Sequence, residues 1–130
     1  MVAQITLSTQ AVIENLHTAM NQHDLKAFLD CFAPDYRSAQ PCHPDRSFHG
    51  RERLSELWSS AFERIPDFHA DLLRLTVDGE TAWTEWHWQG TRRNGPHFNL
   101  RGVILFEVQL GQIVYERVYL EGVQQPPPAD

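Results

Sequence analysis

Tyr115, Arg117, Tyr119 and Glu121 recur at every second position near the end of the chain. Alternate side chains of a β-strand share a face. An acid, a base and two phenols therefore form one stripe, with Val114, Glu116, Val118 and Leu120 on the other. A carboxylate enclosed by aromatic rings is pushed towards neutral pH, where it can take or give a proton. Glu121 is the expected proton carrier, with Arg117 or Tyr119 orienting it or stabilising an oxyanion. A solvated sheet face is the competing reading of the same pattern.

The elements that must hold this stripe are legible as changes of period. Ser8 or Thr9 can cap a helix whose apolar face is Val12, Ile13, Leu16 and Met20. Asp24 can cap a second, with Leu25, Phe28, Leu29 and Phe32 at helical spacing and Pro34 as its stop. Residues 36–40 read as a short strand, followed by a Pro-containing loop. Gly50 precedes a third helix with the stripe Leu54, Leu57, Trp58, Ala61, Phe62 and Ile65, ended by Pro66. From Phe68 onwards the period becomes two. Strands are expected over 68–77, 81–91, 98–108 and 112–121, with turns at Asp78-Gly79, Asn94-Gly95 and Gly111. The order implies an α+β domain over residues 9–123: three N-terminal helices packed on a curved antiparallel sheet, with a cavity where short helices leave long strands uncovered. Residues 1–8 are expected to be an arm and 124–130 a Pro-rich tail.

A two-residue turn at Leu110-Gly111 would pair position 109 with 112. It would set Phe106 beside Tyr115, Ile104 beside Arg117, Gly102 beside Tyr119 and Leu100 beside Glu121. Directly paired residues share a face, so the polar stripe is expected among apolar walls, which is the composition of a ligand pocket. Arg101, Val103, Leu105, Glu107, Val114 and Glu116 are expected on the opposite face. Gly102, inside a strand, marks a close approach by another group. Tyr36 and Gln40 are candidate hydrogen-bonding groups for a ligand, and His49 a candidate for the pocket mouth. Trp86, Trp88 and Phe106 are expected to line the walls. Phe32 and Trp58 read as core.

A net charge of −6 argues against a nucleic-acid backbone binder. Cys31 and Cys42 fit no metal or redox spacing, and none of the seven histidines forms a ligating motif, so no metal site is expected. No nucleotide fingerprint or serine-nucleophile motif is present, and no cofactor is expected. No apolar run is long enough to cross a membrane, and residues 1–6 lack the pattern of a secretory signal. A cytoplasmic location is the default expectation.

Four segments together resemble a known family: Phe48-His49-Gly50-Arg51, Trp86-His87-Trp88-Gln89-Gly90-Thr91, Arg101-Gly102-Val103 with Phe106, and Gly111-Gln112-Ile113 running on to Arg117-Val118-Tyr119-Leu120-Glu121. They resemble the SnoaL-like branch of the nuclear-transport-factor-2-like superfamily, over residues 9–123. The resemblance implies a cone-shaped α+β barrel and a homodimer joined through the outer sheet face. It also implies a small-molecule ligand, since the superfamily holds polyketide cyclases, ketosteroid isomerases, scytalone dehydratase and limonene-epoxide hydrolases beside non-catalytic binding domains. Glu121 falls where SnoaL-like cyclases and epoxide hydrolases carry an aspartate, and Arg117 and Tyr119 resemble the hydrolases' Arg-x-Tyr-x-Asp run. Trp86 and Trp88 stand where the hydrolases have an Arg-x-Asp pair, so their water-activating triad is absent. Two functions remain open: a cofactor-independent isomerase, dehydratase or cyclase acting on an apolar cyclic or polyketide-like molecule, or a non-catalytic small-molecule-binding homodimer.

Overall fold

The computed structural model describes residues 6–125; the remainder of the expected arm and tail lies outside them. Three side chains start and fasten the first helices. The Ser8 hydroxyl accepts from Ala11 N at 3.1 Å and opens α1 (Thr9–Gln22), which buries Val12, Ile13, Leu16, Ala19 and Met20. Asp24 caps α2 (Leu25–Asp30) by accepting from Ala27 N at 3.1 Å. Asn21 clamps Ala70 from both sides: its Oδ1 accepts from Ala70 N at 2.7 Å, and its Nδ2 donates to Ala70 O at 2.9 Å. These bonds satisfy the backbone of Ala70 at the edge of the sheet. The third helix, α3 (Arg51–Arg64), buries Leu54 and leans Trp58 and Phe62 on the core.

The second helix is shorter than its apolar spacing suggests. Phe32 does not close α2 but begins β1 (Phe32–Ala39). Pro34 lies inside that strand, in the gap between the pairs Phe32–Ile113 and Arg37–Tyr115, where the missing N–H breaks no ladder bond. The remaining strands are β2 (Phe48–His49), β3 (His69–Asp78), β4 (Thr81–Thr91), β5 (His97–Gln109) and β6 (Gln112–Gly122). Their order in one sheet is β2-β1-β6-β5-β4-β3. The meander β3 to β6 is antiparallel throughout, as expected. The expectation of a wholly antiparallel sheet is corrected by β1, which pairs with β6 in parallel. The sheet is mixed and open, with β2 and β3 as its edges. Two strands that run the same way need a long crossover, and here it contains α3 and the meander.

The turn between β5 and β6 has the expected length. Leu110 (φ 52°) and Gly111 (φ 77°) take the two left-handed positions, and Gln109 pairs with Gln112. Two residues later the register slips. Val108 pairs with Ile113, but Glu107 pairs with Tyr115, so Val114 is an extra residue in β6. Such a bulge turns every later side chain to the other face. Phe106 consequently lies beside Glu116, Ile104 beside Val118, Gly102 beside Leu120 and Leu100 beside Gly122. Arg117 lies beside Leu105, Tyr119 beside Val103 and Glu121 beside Arg101.

Gly102 is a point of close approach, as expected, although the neighbour is backbone. Its φ of 152° is one that residues with a side chain rarely adopt, and a Cβ there would collide with the Tyr119 carbonyl. The core on the helix side of the sheet joins Ile13, Leu16, Phe28, Tyr36, Trp86 and Ile113. Among the described residues no helix is long and apolar enough to cross a membrane.

Candidate functional site

A cavity of about 870 Å³ lies between the helices and the inner face of the sheet. Trp86, Trp88, Leu100, Ile104 and Phe106 line it from β4 and β5, and Trp58 from α3. Their rings form a connected wall: Trp88 meets Trp58 edge-on at 5.3 Å between centroids and Trp86 at 6.3 Å. Trp86 is fixed deeper still. Its Nε1 donates at 2.6 Å to the Thr84 hydroxyl, which donates at 2.7 Å to Ile104 O. The exposed lining residues Arg64, Arg92 and Glu121 mark the mouth of the cavity, and there the β4–β5 hairpin is fastened to the end of α3. Arg93 N donates to Arg64 O at 2.8 Å, Arg93 Nε to Glu63 O at 2.6 Å, and Thr91 N to the Asp67 carboxylate at 2.6 Å.

The buried carboxylate in the cavity wall is Glu116, with Glu56 and Glu121 more exposed. The bulge places it on the inner face, between Phe106 of β5 and Ser38 of β1. It is 8 % exposed. Loss of water raises its carboxyl to about pH 7, with the Ser38 hydroxyl hydrogen bond opposing that shift. Among the described residues two side-chain polar atoms are buried without a partner: the Tyr36 hydroxyl and the Trp88 Nε1. Burial, and then the charge of Glu116, push the Tyr36 phenol far above its ordinary range, so it stays a proton donor. A buried N–H or O–H without an acceptor is costly, and Trp88, which lines the cavity, can donate to an oxygen brought by a ligand.

Arg117 and Tyr119 do not face this cavity. They lie on the outer sheet face, and the expectation that they line the pocket is corrected by the extra residue at Val114. Glu121 sits at the rim, its side chain 60 % exposed and bonded to His43 Nε2 at 2.7 Å. Of the expected wall residues, Trp86, Trp88, Phe106 and Gln40 line the cavity. Tyr36 is fully buried in the core behind it, and His49 is exposed on β2 beside Arg37, away from the lining. Val118, expected on the outer face, lines the cavity beside Ile104. Glu116 was legible in part: it is the one acid on a stripe otherwise made of Val114, Val118 and Leu120, and apolar stripes turn inwards.

Cys31 is buried and its thiol is pushed up to about 11 by desolvation, while Cys42 is exposed; both are free thiols. Among the described residues no three His, Cys, Asp or Glu side chains converge as a metal site requires.

Solved structures share this architecture. Wild-type IdmH from Streptomyces antibioticus, a proposed polyketide cyclase, superposes with a TM-score of 0.74 at 21% identity, covering 87% of this chain and 91% of that one. A proposed ketosteroid isomerase from Kribbella flavida gives 0.72 at 22% identity over 97% and 88% of the two chains. A ketosteroid-isomerase-like protein from Catenulispora acidiphila, in complex with trimethylamine, gives 0.71 at 17% identity over 83% of each. At these identities the likeness is one of fold. No protein of curated function matches the sequence. The family model for the SnoaL-like domain matches residues 13–116, and the chain belongs to that family.

Proposed function

We propose that the chain is a cofactor-independent isomerase, dehydratase or cyclase acting on a small apolar, cyclic or polyketide-like molecule held in the cavity, with Glu116 as the group that moves the proton. The observation that carries this reading is a buried carboxyl with a pKa of about 7, in a wall of aromatic and aliphatic side chains. A general base works best when its pKa is near the working pH. In an isomerisation the Glu116 carboxylate takes a proton from the carbon next to a carbonyl. The electron pair moves onto the carbonyl oxygen, which accepts from the Trp88 N–H, and the proton returns at another carbon. Apolar walls raise the driving force by excluding water. Glu121, the carboxylate first expected to act, is here assigned to the rim together with His43.

A panel of cyclic ketones incubated in heavy water, with deuterium at the carbon next to the carbonyl read by NMR, tests the proposal. Glu116→Gln should lower exchange by roughly 10²- to 10⁴-fold. A wild-type protein that binds such ketones without exchanging them supports the non-catalytic reading instead.

A second copy of the chain is the proposed occupant of the outer sheet face. Leu105, Val103 and Tyr119 lie there beside Trp83, which is 53% exposed. His87 and Arg101 share this face, whereas Val118 does not. Light scattering should give twice the 15.0 kDa chain mass; the single-chain mass at micromolar concentration would refute the homodimer.

A further inference from the structure

We infer that the ligand of this cavity is an elongated amphipathic acid, with an apolar body inside and an anionic group held at the mouth by Arg64, Arg92 and Arg46. The inference rests on the reading of the cavity as the ligand site. The chain is acidic, with net charge −6, yet four arginines, Arg46, Arg53, Arg64 and Arg92, line this one cavity against three acids, Glu56, Glu116 and Glu121. Arg53 is bonded to Glu56 at 2.8 Å, and Glu121 is engaged by His43. Among the described residues the ion pairs are Lys26–Asp30, His43–Glu121, Arg53–Glu56, His69–Asp71 and Arg74–Glu85, and none uses the other three arginines. The nearby Asp67 directs its carboxylate to Thr91 N, and Asp45 shares the 3-10 turn Pro44–Arg46 with Arg46.

Two of these cations are brought together by the fold. The bonds from Arg93 to Arg64 O and Glu63 O set the β4–β5 hairpin against the last turn of α3, so Arg92 and Arg64 are neighbours at the mouth. The Arg92 guanidinium lies 5.1 Å from the centre of the Phe98 ring, which itself lines the cavity. A guanidinium steadied on an aromatic face keeps its planar fork for a carboxylate, sulfonate or phosphate. Glu121, at the rim, stands five strand positions beyond Glu116, about 17 Å along β6. A ligand that reaches both is longer than a single ring.

Two dyes test the inference. 1-Anilinonaphthalene-8-sulfonate and N-phenyl-1-naphthylamine share their rings and differ by one sulfonate. Both are titrated by fluorescence into the wild type, the Arg64→Met/Arg92→Met double variant and a control, Arg74→Met, on β3. The sulfonate should bind the wild type about tenfold more tightly than the neutral dye, and the double variant should lose that preference while neutral-dye affinity stays within about twofold. Salt at about 0.5 M should weaken only the sulfonate. Equal affinities in the wild type, a preference that survives the double substitution, or an equal loss in Arg74→Met would overturn the inference while leaving the cavity reading intact. Failure of both dyes to bind would overturn both.

Discussion

The two faces of β6 differ in both side chains and chemistry. On the inner face Glu116 stands among Phe106, Ile104 and Val118, and desolvation raises its carboxyl to about pH 7. On the outer face Arg117 and Tyr119 lie beside Leu105 and Val103, and Glu121 at the strand's end meets His43 at the rim. The outer stripe has the richer set of functional groups. The inner one has the perturbed group, because water, more than neighbouring residue type, determines how easily a carboxylate gives up its proton. Which stripe faces inwards is decided by one extra residue, Val114.

Deleting Val114 and Tyr115 together attacks the comparison most directly. Loss of Val114 alone removes only the unpaired residue and keeps the pairs Glu107–Tyr115 and Phe106–Glu116, so that variant should still fold cooperatively. The double deletion slips β6 by one residue and should exchange the faces, burying Arg117 and Tyr119 and exposing Val118 and Leu120. That cost exceeds the net stability of a domain this size, about 5–15 kcal/mol. Circular dichroism and thermal unfolding of the double deletion should show no cooperative transition. Loss of cooperative unfolding in the single deletion, or its retention in the double one, would break the account of the bulge.

Next in size is the contrast between the two carboxylates. Glu116→Gln should reduce proton exchange by roughly 10²- to 10⁴-fold, and Glu121→Gln by less than about threefold, because the latter group is largely in water. The reverse order would return the proton transfer to Glu121.

The pH dependence of stability follows from the same burial. The Glu116 carboxyl is raised from its ordinary 4.5 to about 7. Between those values the native state keeps a proton that the unfolded chain has lost. Stability from this group should therefore be greatest below pH 4.5, fall as pH rises to about 7, and level off above it. The total is about 3 kcal/mol at ~1.4 kcal/mol per pH unit. Urea denaturation of Glu116→Gln across this range should lack that slope; identical slopes would show that Glu116 is solvated.

The smallest effects compare tryptophans on the two faces. Thr84→Val leaves the buried Trp86 N–H without its acceptor and should cost about 1–3 kcal/mol. Trp83→Ala, on the outer face, should change single-chain stability by less than ~0.5 kcal/mol. Concentration-dependent unfolding of Trp83→Ala against the wild type distinguishes a free face from one covered by a second copy.

Most of the frame was legible because its signals are local. Ser8 and Asp24 cap the helices expected of them, and β4 has its expected bounds. The walls from β4 and β5 were legible too, since Trp86, Trp88, Leu100, Ile104 and Phe106 all line the cavity. Phe32 was misread because its spacing from Leu25 suits a helix as well as a strand that follows one. Val114 gave no warning: a bulge made of an ordinary β-branched residue has no sequence signature, yet it reverses a whole strand. The apolar stripe of Val118 and Leu120 held the corrective signal, and it outweighs turn counting when the two disagree.

The parallel contact between β1 and β6 also determines when the site comes into being. Ile113 N donates to Cys31 O at 2.7 Å, across a chain separation set by every intervening element. Ser38, placed early in the chain, meets Glu116 only near its end. Closing so long a loop is entropically unfavourable until the contacts it brings are made. During synthesis the helices and the first strands of the meander can form on the ribosome, but Ser38 and Tyr36 wait on an unfinished edge. The carboxyl of Glu116 loses its water when that last strand docks, so the cavity wall is completed by the final strand of the domain.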